Sequence, residues 1–129
     1  MSMSYDTTDR WNDLTSLLAL IESAWFTDEH PLTVNSRNYD SGTPLHTAIT
    51  WGDMRAAEVL ILAGADLNAP GEDGDTPLHH AIRMGEFKIA RLLIAHGSKQ
   101  DIKNVEGKRP RDYCSETEWP GLFGENNDI

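Results

Sequence analysis

Three histidines are the first residues to test for chemistry. His46 and His79 stand 33 positions apart, and His80 follows His79 directly. Neighbouring residues on a helix point about 100° apart, so His79 and His80 do not chelate one metal together. Glu72, Asp73 and Asp75 have the composition of a calcium loop, but its ligand spacing and closing glutamate are absent. A solvated acidic turn accounts for them better. The single cysteine, Cys114, leaves no intramolecular disulfide and fits a reducing compartment. The sequence has no glycine-rich phosphate loop, no His-Glu-x-x-His helix and no serine in a nucleophile elbow. The expectation is a protein that is not an enzyme, with no catalytic residue, no metal and no cofactor.

The elements that carry these residues recur. Thr43-Pro44-Leu45-His46-Thr47-Ala48 returns as Thr76-Pro77-Leu78-His79-His80-Ala81, and a further step of 33 reaches Arg109-Pro110-Arg111-Asp112-Tyr113-Cys114. Ala63-Gly64-Ala65-Asp66-Leu67-Asn68 is echoed with the same step at His96-Gly97-Ser98-Lys99-Gln100-Asp101, and Val34-Asn35 stands one period before its tail. Each residue of the first phrase has a physical role. Thr43 and Thr76 suit an N-cap, where a hydroxyl accepts from an unpaired backbone N–H. Pro44 and Pro77 suit the first helical position, where the missing N–H costs nothing. Leu45 and Leu78 face a core, and Ala48 and Ala81 let neighbouring helices approach. Cys114, at the same place in the period, is expected to be a buried small residue.

Both the period and the T-P-L-H-x-A phrase resemble the ankyrin-repeat family, over roughly two thirds of the chain. The resemblance implies an all-α ankyrin-repeat solenoid of stacked helix-turn-helix units with β-turn fingers. It also implies that His46 and His79 hydrogen-bond locally to stitch adjacent turns. In the family, partners are gripped by finger tips and by exposed positions of the first helices. That implies a binding surface at Tyr39, Asp40, Thr50 and Trp51, then Glu72, Asp73, Asp75, Arg83 and Met84, and in the third finger Val105, Glu106 and Lys108. Trp51 and Met84 occupy a position that the family leaves polar. Trp51 reads either as a binding hot spot or as a ring that packs on the 26–32 loop and closes the core.

The chain divides into an N-terminal cap (1–34), repeat one (35–68), repeat two (69–101) and a degenerate C-terminal capping repeat with a tail (102–129). Met1 to Asp6 reads as disordered. Trp11, Leu14, Leu17, Leu18, Ile21 and Trp25 predict one amphipathic helix over about Thr8 to Trp25. The loop from Phe26 to Thr33 is either a connector or a recognition loop presenting Asp28, Glu29 and His30. The spacing predicts helices from Pro44 to Trp51 and Asp53 to Ala63 in repeat one, and from Pro77 to Met84 and Glu86 to His96 in repeat two, with Gly64 and Gly97 as left-handed caps. In Asp40-Ser41-Gly42-Thr43 the glycine falls one place later than in Asp73-Gly74-Asp75-Thr76, which predicts a different turn in the first finger. Arg109, Arg111 and Asp112 make a polar outer face that ends the stack. Pro120 and Gly121 argue against a second helix, leaving Trp119, Leu122 and Phe123 to fold back as a cover or to dock another molecule.

Eleven basic against 21 acidic residues give a net charge of −10, unfavourable for binding nucleic acid or anionic lipid. The acid is concentrated: residues 1–82 carry a net −10, residues 83–111 a net +5 and residues 112–129 a net −5. Such a body either steers a basic protein towards its acidic surface or simply stays well solvated. No secretory signal is evident in Met1 to Trp11, and Leu17 to Ile21 is too short to span a bilayer. The expectation is a monomeric, cytoplasmic protein-binding module with a basic protein as partner. It is either an inhibitor, such as an immunity protein masking a nuclease-type toxin, or an adaptor that tethers partners without blocking them.

Overall fold

The computed structural model describes residues 14–25, 31–115 and 118–121 of the 129-residue chain. Its first element, α1 (Leu14–Trp25), buries Leu17, Ile21 and Trp25, which stand four apart on one face. The predicted start at Thr8 and its Trp11 lie outside the described residues. Trp25 Nε1 donates to Thr47 Oγ1 at 2.9 Å, tying this cap to the first repeat.

Two helical pairs follow, α2 (Pro44–Thr50) with α3 (Met54–Leu62) and α4 (Pro77–Arg83) with α5 (Phe87–Ala95). Thr43 and Thr76 cap α2 and α4 as the phrase predicts, and the residue that closes each capping box is the histidine of the phrase. Thr43 Oγ1 accepts from the His46 N–H, and the Thr43 N–H donates to His46 Nδ1. Asp53 caps α3 by accepting from the Ala56 N–H at 3.0 Å. Gly64 and Gly97 end α3 and α5 with φ of 96° and 99°, the left-handed region that a C-cap needs. The first helices of successive repeats pack together, as do the second helices. Leu45, Ile49, Leu60, Leu78, Ile89 and Leu93 are fully buried between them. Ala48, Ala56, Ala57, Ala81 and Ala90 are buried with them, and their short side chains set how closely the helices approach.

The three fingers correct one expectation. Ser41, Gly74 and Gly107 occupy equivalent positions and share left-handed φ values of 70°, 77° and 77°. Each finger closes with the same pair of backbone bonds, Asn38 with Ser41 and Gly42, Gly71 with Gly74 and Asp75, and Asn104 with Gly107 and Lys108. Ser41 simply does the work of the glycine. The finger that departs is the second, where Asp73 also takes a positive φ of 59° within a 3₁₀ turn, Glu72–Gly74. Its first residue differs as well. Asn38 and Asn104 hold their own turns by accepting two backbone N–H groups each, whereas Gly71 has no side chain to do so. A Cβ at Gly71 would stand 2.8 Å from His46 Nε2, so that ring would have to shift to admit a side chain there.

The stack ends in a single 3₁₀ turn, Pro110–Tyr113, in which the Asp112 carboxylate replaces the histidine ring nitrogen by accepting from the Arg109 N–H at 2.7 Å. Cys114 is half-buried rather than buried, because the turn stops there and no full helix covers it. Burial and the nearby Glu118 push its thiol pKa up. The tail does form one helical turn, α6 (Glu118–Gly121), since a proline is tolerated in a helix's first turn. It seats Trp119 in the core, under the Arg111 guanidinium 5.7 Å from the ring centroid. Leu122 and Phe123 lie outside the described residues.

Candidate protein-binding face

Between the first two fingers and the helices α2 and α4 runs a groove of about 500 Å³. Its floor is set by the period. Thr47 and His80, and Thr50 and Arg83, are pairs separated by 33 residues on the two first helices, and Met84 lines the groove without its counterpart Trp51.

The histidines of the phrase hold the fingers in place. The Thr43 N–H is a donor only, so His46 Nδ1 accepts it, and Nε2 carries the proton and donates to the Asp75 carbonyl at 3.0 Å. The backbone of the second finger is thereby fixed to the first repeat. Burial lowers the His46 pKa from 6.5 to about 4 and keeps the ring neutral. His79 repeats the arrangement, with Nε2 2.8 Å from the Lys108 carbonyl of the third finger. The stitching therefore reaches the next repeat as well as the local turn. His80 has a separate role: Thr50 gives its hydroxyl proton to the His46 carbonyl and accepts from His80 Nε2 at 2.7 Å. Burial pushes the His80 pKa down, opposed by Asp75 and reinforced by Arg83.

Asp75 is 8% exposed and fully engaged, unlike the surface acid the sequence suggests. It accepts from Arg83 Nη1 at 2.7 Å and from Asn104 Nδ2 at 2.8 Å. Asn104 Nδ2 also reaches the Tyr113 hydroxyl, which donates to Glu106 Oε1 at 3.1 Å. The Arg83 guanidinium lies 4.6 Å from the Tyr113 ring centroid. Asp75, Arg83 and Glu106 thus latch the second finger to the third.

Asp40, Glu72 and Asp73 differ. They are exposed, and their carboxylates have no partner among the described residues. The groove brings them together with Thr50, Asp75, Arg83 and Met84; Tyr39, Trp51, Glu106 and Lys108 are not among its lining residues. Tyr39 is 91% exposed on the first finger, and Val105, Glu106 and Lys108 are exposed on the third. Trp51 and Met84 are 40% and 46% exposed at the ends of α2 and α4. Of the 26–33 loop, Leu32 is buried, and the acidic residues Asp28 and Glu29 lie outside the described residues. Sequence reasoning passed over Asn38, Thr47 and His80 as lining residues. The signal for two of them was present, since Thr47 and His80 are the variable fifth letter of the recurring phrase.

A family model described as ankyrin repeats (3 copies) matches residues 10–105. The chain belongs to the ankyrin-repeat family. Its fold is the all-α ankyrin solenoid, an architecture that mediates protein–protein interaction and is typically non-catalytic. A search of curated proteins returned no match for the sequence. Among the described residues no helix is long and apolar enough to cross a membrane, and no three His, Cys, Asp or Glu side chains are grouped to hold a metal ion.

Proposed function

We propose that the finger groove grips a basic segment of a partner protein, and that in its most specific form this protein is an acidic inhibitor. An immunity protein that covers the positive active site of a nuclease-type toxin in the cytoplasm fits this chemistry, since a site that cleaves nucleic acid is itself basic. The observation that carries the reading is the set of three carboxylates without a partner among the described residues, Asp40, Glu72 and Asp73, in one groove with Met84, while Trp51 is exposed at the matching end of α2. Carboxylates whose charge is unused inside the fold steer and neutralise a cationic partner. The thioether in the groove and the aromatic at the matching helix end supply the apolar contact that makes a hot spot. Asp75, Arg83, Glu106 and Lys108 then frame the site, the first three through the latch.

The adaptor reading is favoured by a different observation, the net +5 of residues 83–111, which gives the chain a segment of opposite sign. The test is capture from source lysate by the monomeric wild type and by an Asp40→Asn/Glu72→Gln/Asp73→Asn variant, followed by calorimetry of the purified captured protein. A basic protein held one-to-one by the wild type, lost with the variant and losing its own activity when bound supports the inhibitor. Unchanged activity supports the adaptor. Equal retention by the variant contradicts a role for the groove.

A further inference from the structure

A second groove, of about 490 Å³, opens at the C-terminal end of the stack and shares no lining residue with the finger groove. Its walls come from the turn after α5 (Ser98, Lys99, Asp101), the terminal 3₁₀ turn (Arg109, Arg111) and Trp119. It exists because the period is broken there. Leu45 and Leu78 are fully buried, and one step later the same position is the exposed Arg111. Ala65 is likewise followed by Ser98, whose backbone makes the same bond to the preceding helix as Ala65 does. Ser98 is only 5% exposed, and its hydroxyl is buried with no hydrogen-bond partner among the described residues. A buried hydroxyl left without a partner costs free energy, which marks this wall as the place where the repeat pattern is no longer kept.

The charges of the groove say what it suits. Arg109 is occupied by Asp112 through two side-chain bonds, which leaves Lys99 and Arg111 as the cations facing the groove, with Arg111 spread over the Trp119 ring. Two available cations beside one carboxylate, Asp101, suit singly charged carboxylates arriving on a flexible chain. They do not suit a dense polyanion, whose closely spaced phosphates would outnumber the two cations. We infer that this groove is a docking site for an acidic peptide segment of a second partner. Its carboxylates pair with Lys99 and with the Arg111 guanidinium that covers Trp119. The site is independent of the finger groove and stands whichever protein that groove binds.

The test is amide and indole NMR on the full chain titrated with blocked hexaglutamate, with hexaglutamine, inorganic phosphate and hexathymidylate as separate probes. Saturable shifts at Ser98, Lys99 and the Trp119 indole with hexaglutamate, and none with the other three, are expected. Lys99→Glu, an exposed position remote from the core, should weaken binding tenfold or more and leave the shifts of Asp40 and Asp73 unchanged. Arg111→Gln should weaken it less, through the same residues. Shifts produced equally by phosphate or hexathymidylate would make the groove a general anion site and overturn the peptide reading. So would no saturable shift with hexaglutamate, or wild-type affinity in Lys99→Glu.

Discussion

Ser41 carries a backbone conformation that glycine carries in the other two fingers, with φ of 70° against 77° at Gly74 and 77° at Gly107. The left-handed region costs a residue with a Cβ about 1 kcal/mol. Ser41→Gly is therefore expected to raise the stability measured by urea unfolding by about 1 kcal/mol; a loss would mean that the serine contributes something the turn needs. The acids of the second finger separate in the same way. Asp75→Ala removes an acceptor from the buried Asn104 amide and should cost about 1–2 kcal/mol. The Arg83 pair adds little to that, because the arginine side chain is 43% exposed. Asp75→Asn, which keeps an acceptor, should cost less, and Asp73→Asn should stay within about 0.5 kcal/mol. His46 sets a pH dependence. Its folded pKa of about 4 lies below the ordinary 6.5, so the unfolded chain binds the extra proton between these values. The contribution is complete above 6.5 and lost as pH falls towards 4, up to about 3 kcal/mol in all. In His46→Asn the slope of stability against pH in that window should flatten; an unchanged slope would place the titration elsewhere.

At the scale of elements, the helices were legible because capping and packing are local or periodic. Thr-Pro fixed two helix starts, and the buried leucines and alanines fixed which faces meet. The first finger was misread because a glycine one place late looked like a changed turn. The three turns share their backbone closure and differ in the side chain at the first residue, Asn38, Gly71 or Asn104, which a shift of one glycine does not reveal. Asp75 was misread because its partners Arg83 and Asn104 are 8 and 29 positions away. The ends of the stack rest on few buried side chains, three in α1 and Trp119 in α6. Ile21→Ala in α1 and Trp119→Ala in α6 each remove a buried contact and should each cost about 3 kcal/mol. Near-wild-type unfolding midpoints in either variant would show that the end in question does not cap the core.

The whole molecule combines a stitched solenoid with a divided charge. The His46 and His79 rings bond successive fingers to preceding repeats, and the Asp75 latch joins the second finger to the third, so the fingers present a pre-organised face. A pre-organised face binds with less ordering cost, and its unused carboxylates act on the approach of a partner more than on its retention. The association rate of a basic partner should fall by about tenfold or more between about 0.01 M and about 0.3 M salt. The dissociation rate should change little over the same range. A salt-independent association rate would show that contact is apolar from the start. The most direct test of the finger groove as the working face is hydrogen–deuterium exchange of the free protein and of its complex with the captured basic partner. Protection is predicted at Tyr39–Asp40, Glu72–Asp73 and the ends of α2 and α4 around Trp51 and Met84. Protection confined to α1, or to the turn from Ser98 to Asp101, with those four stretches unchanged, would contradict it.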